Sequence, residues 1–134
     1  MKIQLTYDEI LGYVEDKFHV RPTVEVVDDQ TLSVSYKISR FVPTINVDIH
    51  VDSVSKDLIA LSYDCSNIVN GLLNGVIGFV GEKIPRHQVE VISNDKQVLV
   101  HLDAFEQLEK VFAVVALTDI TFYSDSIVLN MDLA

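Results

Sequence analysis

The chain has 134 residues; ten are Lys or Arg and twenty are Asp or Glu, giving a formal charge of −10. Nucleic-acid binding depends on neutralising phosphates, and the same negative excess is repelled by anionic lipid surfaces, so neither is expected as an electrostatic partner. Apolar residues make up 49% and mean hydropathy is +0.27, which asks for a large core in the single domain, residues 1–134, that this length predicts.

Cys65 is the lone cysteine, which excludes a disulfide framework and a cysteine-based zinc site. It reads as a small buried thiol at a helix start, with Asp64 beside it opposing thiolate formation. No run approaches the roughly 20 apolar residues of a membrane-spanning helix, so no integral membrane segment is expected. The opening Met1-Lys2-Ile3-Gln4-Leu5 lacks the apolar centre of a secretion signal. A cytoplasmic protein is therefore expected, or an exported one if a leader preceded it.

A first helix is signalled by the capping box of Thr6 and Glu9, with Leu5 and Ile10 placed as a hydrophobic staple. Tyr7, Ile10, Leu11, Val14 and Phe18 form its apolar stripe, and Arg21-Pro22 ends it. Val24 and Val26 then alternate with Glu25, and Leu32, Val34, Tyr36 and Ile38 alternate with Ser33, Ser35 and Lys37. A loop of Asp28-Asp29-Gln30 puts both apolar sets on one face. Phe41 and Val42 occupy the next connection, where they either insert into a bilayer or partner or fold under the sheet.

The strongest strand runs from Thr44 to Val54, with Ile45, Val47, Ile49 and Val51 on one side and Asn46, Asp48, His50 and Asp52 on the other. Such a strand spans roughly 35 Å, about twice the usual length. A turn near Ser55-Lys56 returns the chain through Ile59, Leu61 and Tyr63. An uncharged helix is expected over 66–80, with Ile68, Val69, Leu72, Leu73, Val76, Ile77 and Val80 as a wide apolar stripe. Interior glycine costs a helix about 1 kcal/mol relative to alanine. Gly71, Gly75 and Gly78 therefore mark either tight packing on the sheet or room for a ligand.

Two hairpins follow. Val89 and Val91 pair in phase with Val100 and Val98 around Asn94-Asp95, and Ile120 and Phe122 with Leu129 and Ile127 around Ser124-Asp125. Between them Asp103 and Glu106 signal a third, short helix bearing Phe105, Leu108, Val111 and Phe112. One-sided alternation predicts a sheet wet on one face and covered by helices on the other.

Constellations for chemistry are weak. Asp48, His50 and Asp52 share a strand face, but residues about 7 Å apart along a straight strand do not converge on one ion. No carboxylate lies in an apolar run, and neither a phosphate-cradling glycine loop nor a Gly-x-Ser-x-Gly turn occurs. Neither catalysis nor any cofactor or metal is expected.

The layout has a counterpart. The helix of Leu5-Thr6-Tyr7-Asp8-Glu9-Ile10-Leu11, long strands through Leu61-Ser62-Tyr63, the apolar segment 67–80 before Lys83-Ile84-Pro85, then Val98 to Asp103, a short helix and a final hairpin follow one another. This order resembles the small bacterial members of the tubular lipid-binding (TULIP-like) superfamily, such as the YceB-like lipoproteins and LmeA-like proteins. The resemblance implies an α+β half-barrel in which a long curved antiparallel sheet of about eight strands wraps a central apolar helix. It also implies non-catalytic binding of a lipid or other long apolar ligand between that helix and the sheet. The lining residues would be Ile68, Leu72, Leu73, Val76, Ile77 and Val80 from the helix and Val47, Ile49, Val51, Ile59, Leu61 and Tyr63 from the sheet. The alternative is a structural or assembly protein without a small ligand, meeting a second copy as a homodimer or another protein.

Overall fold

A five-residue strand, Lys2–Thr6 (β1), leads directly into the helix Tyr7–Phe18 (α1). The computed structural model describes residues 1–37, 40, 44–65, 84–85 and 87–134. The helix expected over 66–80 and the loop pair Phe41-Val42 lie outside the described residues. In α1 the Thr6 hydroxyl accepts from Glu9 N–H at 3.1 Å while the Glu9 carboxylate accepts from Thr6 N–H at 3.2 Å, the reciprocal cap expected. His19, in the left-handed region at φ 60°, ends the helix before Arg21-Pro22. Tyr7 Oη donates to the Tyr123 carbonyl at 2.7 Å and pins the helix start to the far end of the chain.

Strands β2 (Thr23–Asp28), β3 (Thr31–Tyr36), β4 (Ile45–Ser55) and β5 (Leu58–Asp64) form a meander. Strands β6 (Val89–Ile92) and β7 (Gln97–His101) complete a six-stranded antiparallel sheet in the order β2-β3-β4-β5-β7-β6. The register brings one apolar set to one face: Val24 opposes Val34, Leu32 opposes Ile49, Ile49 opposes Tyr63, and Leu61 opposes Val98. The other face carries exposed Glu25, Asn46, Asp48, His50 and Asp52. A bulge at Asp52 lets β4 continue past Val51 with Val54 opposite Ile59, so the long strand keeps its apolar side inward.

The closing hairpin, β8 (Val115–Phe122) and β9 (Ser126–Leu133), does not extend that sheet. It pairs with β1, and the second sheet runs β1-β9-β8. Its inner face, Val115, Leu117, Ile120, Phe122 and Met131, joins Leu32, Val51 and Ile59 of the first sheet in one buried cluster. Met131 and Val115 are each only 1% exposed. Leu102 and Phe112, from the segment holding a short helix at Glu109–Phe112 (α2), belong to the same cluster. Among the described residues two backbone bonds join the sheets: Leu117 N–H donates to the Lys56 carbonyl at 2.6 Å and Phe122 N–H to the Asp29 carbonyl at 2.8 Å.

This arrangement corrects the expected half-barrel. Among the described residues there are nine strands in two open sheets, and no long apolar helix stands between them. The cause is the pairing of the two chain ends: β1 captures β9, and a sheet covers much of the apolar face where a helix was expected. The third helix is also shorter than expected. Leu102 N–H is taken by the Asp57 carbonyl at 2.8 Å, and Leu102–Ala104 form a 3-10 turn, so Asp103 caps no α-helix and helical geometry begins at Glu109.

Candidate functional site

The second sheet covers only part of the apolar face. Beyond its reach, β4, β5, β7 and β6 line a cavity of about 190 Å³ with Val47, Ile49, Leu61, Ser62, Tyr63, Val91 and Val98. Strand alternation explains the composition: Val47 and Ile49 on β4, Leu61 and Tyr63 on β5, Val98 on β7 and Val91 on β6 all sit in phase across neighbouring strands. Ser62 points the other way, and its Oγ donates to Asp52 Oδ1 at 2.9 Å on the polar face.

Four of the six sheet residues expected to line a ligand site therefore meet at one place: Val47, Ile49, Leu61 and Tyr63. Val51 and Ile59 lie on the same face but belong to the cluster beneath β8. Ile68, Leu72, Leu73, Val76, Ile77 and Val80 lie outside the described residues. Val91 and Val98 were missed as lining residues. Their pairing with each other is legible, but their place at the cavity follows from β7 docking beside β5, which no local pattern signals.

Tyr63 is the chemically distinctive member of the wall. It is 7% exposed, and among the described residues its Oη is buried without a hydrogen-bond partner. Burial, and secondarily the nearby Cys65, push its phenol above the ordinary tyrosine value, so the group stays protonated and remains a donor at neutral pH. Its backbone is fixed: Tyr63 N–H donates to the Lys96 carbonyl at 2.9 Å, and Lys96 turns the β6–β7 corner at φ 50°.

The polar face builds no comparable site. His50 Nδ1 lies 2.9 Å from Thr31 Oγ1, and among the described residues no three His, Cys, Asp or Glu side chains converge to hold a metal. Asp28 caps the β2–β3 turn by accepting from Gln30 N–H at 2.9 Å, and that bond is the first cause holding its carboxyl below the usual range. Among the described residues no helix is long and apolar enough to cross a membrane.

Compared with models of known protein families, with curated proteins and with solved structures, the chain matches none. The resemblance to tubular lipid-binding proteins thus rests on the order of elements alone.

Proposed function

We propose that this protein binds, without catalysis, an apolar molecule such as a lipid at the part of the first sheet's apolar face that the second sheet does not cover. The observation that carries this reading is the cavity walled by Val47, Ile49, Leu61, Tyr63, Val91 and Val98. Apolar clefts with few polar groups are the usual form of a site for such ligands, and selectivity there comes from shape. A dry apolar cavity of about 150 Å³ holds benzene, whereas sites for drug-sized ligands begin near 300 Å³. At about 190 Å³ the cavity takes a small apolar molecule or one end of a longer chain. Native mass spectrometry of protein purified from cells tests the proposal. A bound apolar species, lost when Leu61→Arg places a charge in the wall, supports it. A ligand-free spectrum that stays unchanged after incubation with acyl chains and small hydrocarbons overturns it.

The second reading, self-association, has one observation in its favour. Strand β2 lies at an edge of the six-stranded sheet and exposes Val27 to 60%. Light scattering over a wide concentration range decides it: a mass that stays at one chain ends this alternative.

A further inference from the structure

One free sheet edge is complementary to itself. Among the described residues strand β1 pairs on one side only, with β9, and its register there runs from Lys2 to Thr6 without a bulge. Antiparallel ladders alternate: a residue that turns its amide and carbonyl to one neighbour is followed by one that turns them away. Met131 N–H donates to the Met1 carbonyl at 2.8 Å, and Tyr7 N–H to the Asp125 carbonyl at 3.3 Å. Met1, Ile3, Leu5 and Tyr7 therefore face β9, and Lys2, Gln4 and Thr6 send their backbone groups outward. Thr6 N–H is already taken by the Glu9 carboxylate at 3.2 Å. The outward amides and carbonyls of Lys2 and Gln4 have no partner among the described residues.

We infer that a second copy of this chain adds to β1 antiparallel, with Ile3 opposite Ile3 on the two-fold axis. In that register Lys2 exchanges both backbone bonds with Gln4 of the second copy, and Gln4 with its Lys2, so every one of those outward groups is satisfied. Met1 comes opposite Leu5, two large apolar side chains that one copy alone exposes. Centring on Gln4 instead would spend a pair on the committed Thr6 amide. The inference takes up the self-association reading above and places it on a different edge. Centring two copies on β2 so that Val24 meets Val26 sets Glu25 directly opposite Glu25, and like charges so placed destabilise a sheet. Along β1 the one charge, Lys2, meets uncharged Gln4. The contact is small, so the dimer is weak and forms at high concentration. The formal charge of −10 on each copy opposes it at low salt and is largely screened at physiological salt.

Light scattering and backbone amide exchange on the full chain test it, at physiological salt and from micromolar to millimolar concentration. The mass is expected to climb from one chain toward two. The Lys2 and Gln4 amides gain protection in step, while those of Ile3 and Leu5, already bonded to β9, do not change. Gln4→Lys sets a lysine opposite Lys2 twice per interface and weakens the dimer roughly two- to thirtyfold. Adding Lys2→Glu makes both pairs attractive and restores it. Both variants lose the Gln4 Nε2 bond to Ser126 Oγ, so the recovery isolates the cross-strand charge. A dimer that neither variant moves, or one that protects the β2 amides in place of Lys2 and Gln4, overturns the inference and leaves self-association standing. A mass of one chain at millimolar concentration overturns both.

Discussion

Replacing Tyr63 by phenylalanine is expected to stabilise the ligand-free protein. Most substitutions at a position this buried destabilise, so the sign alone is informative. The ring is retained, and Tyr63 is only 7% exposed, so its packing against Ile49 and Leu61 is kept. What is lost is a hydroxyl that water solvates in the unfolded chain and that finds no partner among the described residues of the folded one. The penalty for such an orphan is about 1–3 kcal/mol. The variant is therefore expected to gain about 1–2 kcal/mol, which raises the melting temperature by roughly 3–6 °C for a domain of this size. Urea unfolding followed by circular dichroism measures it, with equal slopes required so that midpoints are comparable. A second signature lies at high pH. The folded-state phenol is held above its ordinary value of 10.0. Its contribution is complete below that value and is lost as pH rises through the folded pKa, so the alkaline decline is shallower in the variant. A variant less stable than the parent by 1 kcal/mol or more would mean the hydroxyl already has a partner, and the reasoning would fail.

Other substitutions probe the frame around the site. Thr6→Ala removes the α1 cap and is expected to cost about 1 kcal/mol, read as a lower urea midpoint with unchanged slope. Phe112→Ala, at a ring 3% exposed in the shared cluster, is expected to cost about 3–5 kcal/mol; a loss under 1 kcal/mol by the same assay would place that ring outside the core. Asp28→Asn keeps the acceptor for Gln30 N–H and removes the charge. Because the folded Asp28 carboxyl is held below 3.8, its contribution is present above that value and lost as pH falls below it. The variant should match the parent near pH 2 and be the less stable at pH 6 in paired thermal melts. Asp48 and Asp64 sit directly opposite on β4 and β5, so Asp64→Asn is expected to raise stability at low ionic strength, with the gain shrinking as salt is added.

What could be read from the residues alone was whatever depends on near neighbours. The Thr6–Glu9 cap, the alternation along Ile45–Ser55 and the phase of Val89 and Val91 with Val100 and Val98 all appear in the folded chain. The Asp28-Asp29-Gln30 loop was nearly right: Asp28 pairs with Thr31 across a tighter turn, and the extra residue is a bulge at Val27. What was not legible depends on distant partners. Strand β1 carries only Ile3 and Leu5 as its alternating signal, and it becomes a strand because β9 offers it a ladder at the other end of the chain. The Asp103–Glu106 box has the right residues for a helix start, yet Asp57 captures the Leu102 amide and the buried Leu102 side chain holds a 3-10 turn there. At the site, Val47, Ile49, Leu61 and Tyr63 followed from periodicity, whereas Val91 and Val98 required knowing that β7 lies against β5.

The two bonds from Leu117 and Phe122 to the corners at Lys56 and Asp29 have a consequence for behaviour in crowded solution. Strand β8 is the outer member of its sheet, eight residues long and rich in β-branched and aromatic side chains, the profile of a seed for cross-β growth. Yet outward amides near both ends of it are already occupied by carbonyls from turns of the opposing sheet. An incoming strand would have to evict both turns before it could zip along β8, so growth from this edge is opposed by how firmly two hairpin corners hold on.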